Sequence, residues 1–152
     1  MERRVDSIGE ILTFAIERER DAARGYKDLA LRARSASARA FLLRLRDEEI
    51  DHERRLLDLD PKGISASPGE GVPDLRISDF VVAEPVGENP SYQDLLLFAA
   101  KKEAKAVALY TALAGRTAAA PKKALFEFLA GQEKRHKLRL ELEYEGRVLP
   151  EN

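Results

Sequence analysis

The chain has 152 residues, enough for one domain with a real core, and 44% of them are hydrophobic against 35% charged. Its 26 basic and 27 acidic residues leave a formal charge of -1, so nothing electrostatic points to nucleic acid or to an anionic membrane as partner. It has no cysteine, which excludes disulfides, thiolate metal sites and cysteine nucleophiles within the chain. No apolar run approaches the roughly 20 residues of a membrane span, and Met1–Arg4 leads into no apolar signal core. The expected compartment is the cytoplasm.

Four long helices are predicted. The first runs from about Ser7 to Ala33: Ser7 with Glu10 forms a capping box, and Ile8, Ile11, Leu12, Ala15, Ala22, Tyr26, Leu29 and Ala30 recur at helical spacing. The second spans about Ser37 to Leu59, with Phe41, Leu45, Leu56 and Leu59 facing inward, and Pro61-Lys62-Gly63 ends it. The stretch 60–90 holds five of the seven prolines and four of the nine glycines, so it is read as an irregular crossover. Within it, Phe80-Val81-Val82 is expected to lie extended across the helices. Ser91, with Asp94 as capping partner, starts a third helix that continues to about Gly115. Pro121 suits the first turn of a fourth, which runs to about Tyr144 and stops near Gly146.

The chain is internally duplicated. Glu19 is followed 30 residues later by Glu49-Ile50-Asp51-His52, and Glu103 is followed 30 residues later by Glu133-Lys134-Arg135-His136. Every member of the second set lies 84 positions after its counterpart in the first. The same offset relates Leu12 to Leu96, Phe14 to Phe98, Ala15 to Ala99, Ala22 to Ala106, Tyr26 to Tyr110 and Leu29 to Leu113. Each half therefore reads as one helical hairpin, and the chain as a single all-α unit over 1–152: hairpin 7–59, crossover 60–90, hairpin 91–146.

Hairpin geometry brings the acidic residues together. The midpoint between Glu19 and Glu49 falls in the Arg34–Ser37 turn, and that between Glu103 and Glu133 in the Arg116–Pro121 turn. Fifteen residues at about 1.5 Å each place all four glutamates at one level, about 22 Å from the turns. Glu49 and His52, three residues apart, share a helix face, as do Glu133 and His136. Four buried carboxylates would repel one another strongly unless cations compensate them. The spacing thus predicts two metal positions. Each has one histidine and one terminal glutamate (Glu19 or Glu103), and both share Glu49 and Glu133. This nitrogen–oxygen set suits iron or manganese. Tyr26 and Tyr110, two turns beyond Glu19 and Glu103, are candidates to hydrogen-bond a ligand carboxylate or simply to pack in the core. Glu17, Glu48, Asp51 and Glu53 are expected on the solvated or ion-paired surface.

At these residues the chain resembles the rubrerythrin-like branch of the ferritin-like superfamily. The resemblance is carried by Ala15-Ile16-Glu17-Arg18-Glu19 with Ala22 and Tyr26, by Glu48-Glu49-Ile50-Asp51-His52, by Lys102-Glu103 with Ala106 and Tyr110, and by Gln132-Glu133-Lys134-Arg135-His136. It implies a ferritin-like four-helix bundle and a non-haem di-iron oxidoreductase. The expected reaction is reduction of hydrogen peroxide or dioxygen by Fe(II). Two features depart from the family. The cysteine-bound rubredoxin domain is missing, so electrons would come from an external donor protein. The additional glutamate that such proteins carry three residues after the third-helix ligand is Ala106 here. Iron storage or delivery, and a structural bundle with a vestigial site, are the competing readings. A homodimer is expected, with exchange of hairpins between chains as one form of it.

Overall fold

The structure, a computed structural model, describes residues 7–59 and 75–146. Helix α1 spans Ile8–Arg32, α2 Ala36–Leu57, α3 Tyr92–Gly115 and α4 Ala120–Tyr144. They form an all-α four-helix bundle. α1 packs along α2 and α3 along α4 as two hairpins, and the hairpins meet through α1 against α3 and α2 against α4.

Local sequence accounts for the helix ends. Ser7 and Ser91 each accept from the backbone N–H three residues on, at 3.1 and 3.0 Å, while Glu10 and Asp94 reach back to the cap N–H. Ser35 caps α2 by accepting from the Ala38 N–H at 3.0 Å, so this helix starts one residue before the Ser37 expected from the sequence. α4 begins with Pro121 in its first turn and is followed by Gly146 at φ +73°, a left-handed conformation that glycine adopts without Cβ strain. α2 ends at Leu57, two residues short of expectation, and the Pro61-Lys62-Gly63 terminator lies outside the described residues.

The described part of the crossover corrects one expectation. Ile77–Phe80 winds into a 3-10 turn, started by the Asp79 N–H on the Arg76 carbonyl at 3.0 Å, and Val81 after it is extended. Val81 is also 46% exposed. The turn pattern wins because it puts Ile77 and Phe80, with the buried Leu75, onto the apolar cluster between α1 and α3.

Two apolar clusters fill the interior. One joins Ile11, Ala15, Leu56, Leu109, Leu113, Phe126 and Leu129. The other joins Leu29, Phe41, Leu42, Leu45, Leu96 and Leu140. Burying each of these leucine, isoleucine or phenylalanine side chains contributes about 1.5–3 kcal/mol. Along every helix the charged site lies between the two clusters. Among the described residues no helix is long and apolar enough to cross a membrane.

Candidate metal centre

All six predicted ligands meet at mid-bundle, and all are buried to 0–1% exposure. They form two groups whose donor atoms lie within 4.8 Å of one another: Glu19, Glu49, His52 and Glu133, and Glu49, Glu103, Glu133 and His136. Glu49 and Glu133 belong to both.

Each imidazole is crowded by carboxylate oxygens. His52 Nδ1 lies 2.9 Å from Glu49 Oε1, 3.0 Å from Glu19 Oε1 and 3.4 Å from Glu133 Oε2. His136 Nδ1 lies 2.9 Å from Glu133 Oε1, 3.1 Å from Glu103 Oε2 and 3.7 Å from Glu49 Oε2. One N–H cannot serve three acceptors well. Glu49 Oε1 and Glu133 Oε1 accept no hydrogen bond at all, despite their 2.9 Å approaches. His52 Nδ1 and His136 Nδ1 hydrogen-bond Glu19 and Glu103 instead. Donor atoms about 3 Å apart without a hydrogen bond, as at Glu49 and Glu133, fit neighbours converging on a shared cation, since bonds of about 2.1 Å at right angles give that separation. The residues present fit a pair of divalent ions with mixed nitrogen–oxygen ligation.

Tyrosines and a glutamate surround the donors. The Tyr110 hydroxyl donates to Glu19 Oε2 at 2.7 Å, and the Tyr26 hydroxyl donates to Glu103 Oε2. Each tyrosine thus crosses to the terminal glutamate of the opposite half. His136 Nε2 meets Glu48 Oε1 at 2.8 Å. Glu48 was expected at the surface with Glu17, Asp51 and Glu53, but it is partly buried and anchors an imidazole. The other three fit that expectation: Glu17 is exposed, Asp51 pairs with Arg54 and Arg55, and Glu53 pairs with Arg20.

Arg18 is the residue that sequence reasoning missed. Its Nη1 lies 2.5 Å from Glu19 Oε2, 2.5 Å from Glu133 Oε2 and 3.2 Å from Glu49 Oε2, and its Nη2 bonds Glu103 Oε1. One guanidinium therefore touches all four carboxylates, standing where a cation would balance them. The sequence held one signal for it: at the 84-residue offset Arg18 corresponds to Lys102, a cation beside the terminal glutamate in both halves.

Charge in this cluster is strongly perturbed. Burial first, then the charge on Glu133, pushes the Glu19 carboxyl up to about 8. Burial works against Glu133 too, but the Arg18 guanidinium and both imidazoles outweigh it and hold that carboxyl well below its usual range. Burial opposes the imidazolium of His52, yet Glu133, Glu19 and Glu49 raise it to about 11. His136 rises to about 10 against the same opposition, through Glu133 and Glu49. Burial likewise works against the Arg18 charge and is overcome by Glu133, Glu19 and Glu49. Without a metal, protons and one guanidinium balance the carboxylates. Divalent cations would have to displace them.

Ala106, at the position where the resemblance implied a further glutamate, is buried at 2% in the apolar cluster and offers no ligand.

No family model matches the chain, and no curated protein does. Among solved structures it is similar to a hypothetical protein from Pyrococcus furiosus, with 27% sequence identity, a TM-score of 0.69, and coverage of 95% of this chain and 94% of that one.

Proposed function

We propose that the protein is a di-metal carboxylate protein of rubrerythrin-like, ferritin-like type that uses iron to reduce hydrogen peroxide or dioxygen. The observation that carries this reading is the pair of His Nδ1 atoms, each faced by three buried carboxylate oxygens, with two of the carboxylates common to both. Glu19 with His52 would hold one ion and Glu103 with His136 the other, while Glu49 and Glu133 would bridge. Two ferrous ions held there supply two electrons, the number that converts one hydrogen peroxide and two protons to two waters.

The chain's own groups do the rest. Tyr110 and Tyr26 donate to Glu19 and Glu103, which fixes the orientation of the two terminal carboxylates. Glu48 accepts from His136 Nε2, which leaves Nδ1 as the atom turned to the carboxylates. Burial of all six side chains excludes bulk water from the centre. The protons on His52, His136 and Glu19 would be given up when ions bind, so affinity would rise with pH. A separate reductant would restore the ferrous state, since the chain has no cysteine to hold a second iron centre of its own.

Arg18 supports a second reading, in which a guanidinium permanently neutralises the carboxylates and the cluster is structural. Anaerobic loading with Fe(II) separates the two. Two irons per chain, oxidised when peroxide or air is admitted, are expected for the oxidoreductase. Uptake far beyond two favours storage. Absence of bound metal, together with an unchanged melting temperature, would favour the structural cluster, because a ligand that binds only the native state must stabilise it.

A further inference from the structure

A cavity of about 340 Å³ opens between α1 and α3, within the size range of small-molecule pockets. Gly25, Leu29, Leu95 and Phe98 give it an apolar body, and Arg18, Lys102 and Tyr26 also line it. The same Arg18 and Tyr26 side chains hold the buried glutamates, so a single layer of side chains separates the cavity from the carboxylate cluster.

Among the described residues nothing fills the space at Gly25. This glycine sits in the interior of α1, where glycine weakens a helix, and a Cβ built on it would meet nothing within 4 Å. No close approach requires the absence of a side chain. Its counterpart 84 residues on is Leu109, which is 1% exposed and packed under Leu75, Ile77 and Phe80. One half of the duplicated groove is thus filled by a leucine and roofed by the crossover, while in the other a glycine stands where that leucine would be.

The charges indicate what fits. The less exposed charged groups of the lining are the two cations Arg18 and Lys102, whereas Asp21, Asp28 and Arg32 are exposed. Asp21 is paired with Arg24 at 2.6 Å, and Arg32 donates to the Pro90 carbonyl at 3.1 Å. Lys102 Nζ lies 5.1 Å from the Phe98 ring centroid and, among the described residues, has no carboxylate within ion-pair distance. We propose that this cavity binds a small monocarboxylate with an apolar tail, its carboxylate on Lys102 beside Arg18 and its tail between Leu29, Leu95 and Phe98.

The cavity is formed with Arg18 on the glutamates, so the proposal is tested on the metal-free chain. Isothermal titration with sodium octanoate is expected to show one site per chain, with 1-octanol binding more weakly. Gly25→Leu, which fills the cavity and raises helix propensity, is expected to weaken octanoate about tenfold or more. Lys102→Met is expected to weaken octanoate about tenfold while leaving 1-octanol unchanged. Circular dichroism checks that both variants keep their helices. No octanoate binding, equal binding by wild type and Gly25→Leu, or equal affinity of wild type for octanoate and 1-octanol would each overturn the proposal.

Discussion

The two halves of the α1–α3 groove descend from the same residue pattern and have opposite fates. On one side Ile11, Ala15, Ala106 and Leu109 are buried beneath Leu75, Ile77 and Phe80. On the other, their counterparts Leu95, Ala99, Ala22 and Gly25 are all more exposed. A duplicated hairpin makes two equivalent grooves, and the crossover treats them differently: Leu75, Ile77 and Phe80 pack into one, while Val86 and Pro90 line a cavity in the other. At the buried Glu/His cluster the glutamates, histidines and tyrosines are the same in both halves, which contact each other there: Tyr110 donates to Glu19, Tyr26 and Arg18 to Glu103, and Arg18 and His52 meet Glu133. Duplication is retained at the shared cluster and at core positions such as Leu12/Leu96 and Leu29/Leu113, and is lost at Gly25/Leu109.

The comparison predicts different outcomes for shared and unshared ligands. Glu133→Ala removes a carboxylate common to both groups and is expected to take metal content from two ions per chain to none, whereas Glu19→Ala should leave one. Metal analysis after anaerobic dialysis reads this directly. Equal losses from both variants would break the two-position description.

The metal-free protein should also respond to pH in one direction. His52 and His136, raised to about 11 and 10, contribute stability that is complete below about 6.5 and is lost as pH rises through those values. Glu19, raised to about 8, keeps its proton in the native state while the unfolded carboxyl has lost it, so it also costs stability between its ordinary range and pH 8. Melting temperatures of the metal-free chain are therefore expected to fall from pH 6.5 to 10. Those of the loaded chain should change less, since ions replace the protons. A flat metal-free profile contradicts the charge arrangement described above.

In the covered groove, Leu109→Ala is expected to cost about 2–5 kcal/mol in urea unfolding, the usual range for a buried leucine. The repeat-related cations offer a smaller contrast. Arg18→Met leaves four buried carboxylates without their guanidinium and should cost the metal-free protein about 3 kcal/mol, while raising affinity for Mn(II) by removing a competitor. Lys102→Met, which breaks no ion pair among the described residues, should cost less than about 1 kcal/mol. Equal costs for the two would mean that Arg18 is not the counter-ion of the cluster. The smallest effect is expected in the open groove, where Gly25→Ala should stabilise the protein by about 0.5–1 kcal/mol through helix propensity alone.

Much of this was legible in one dimension. Helical periodicity, the serine caps and the proline-rich interruption placed the helix ends within two residues of those observed. The duplicated Glu and Glu-x-x-His spacing brought six side chains to one level, because height along a helix is linear in residue number. Arg18 and Glu48 were not legible. Each precedes a ligand by one residue, about 100° around its helix, and nothing local says whether so long a side chain turns inward. Arg18 does so because carboxylates from all four helices meet it at one level, and Glu48 because α4 presents His136 Nε2 to it. The extended reading failed at Phe80, though not at Val81, for a related reason: packing of Ile77 and Phe80 on the apolar cluster outweighed β propensity.

By itself, then, the sequence determined which residues share a helix face and at what height, and hence the bundle and the six candidate ligands. Only the tertiary structure decided which hairpin faces which, that each tyrosine crosses to the other half's glutamate, that an arginine sits among the carboxylates, and that one groove is filled while its twin holds a cavity among the described residues. Periodicity and spacing are properties of a single helix. The partners of a side chain across a gap depend on how helices distant in sequence come to pack.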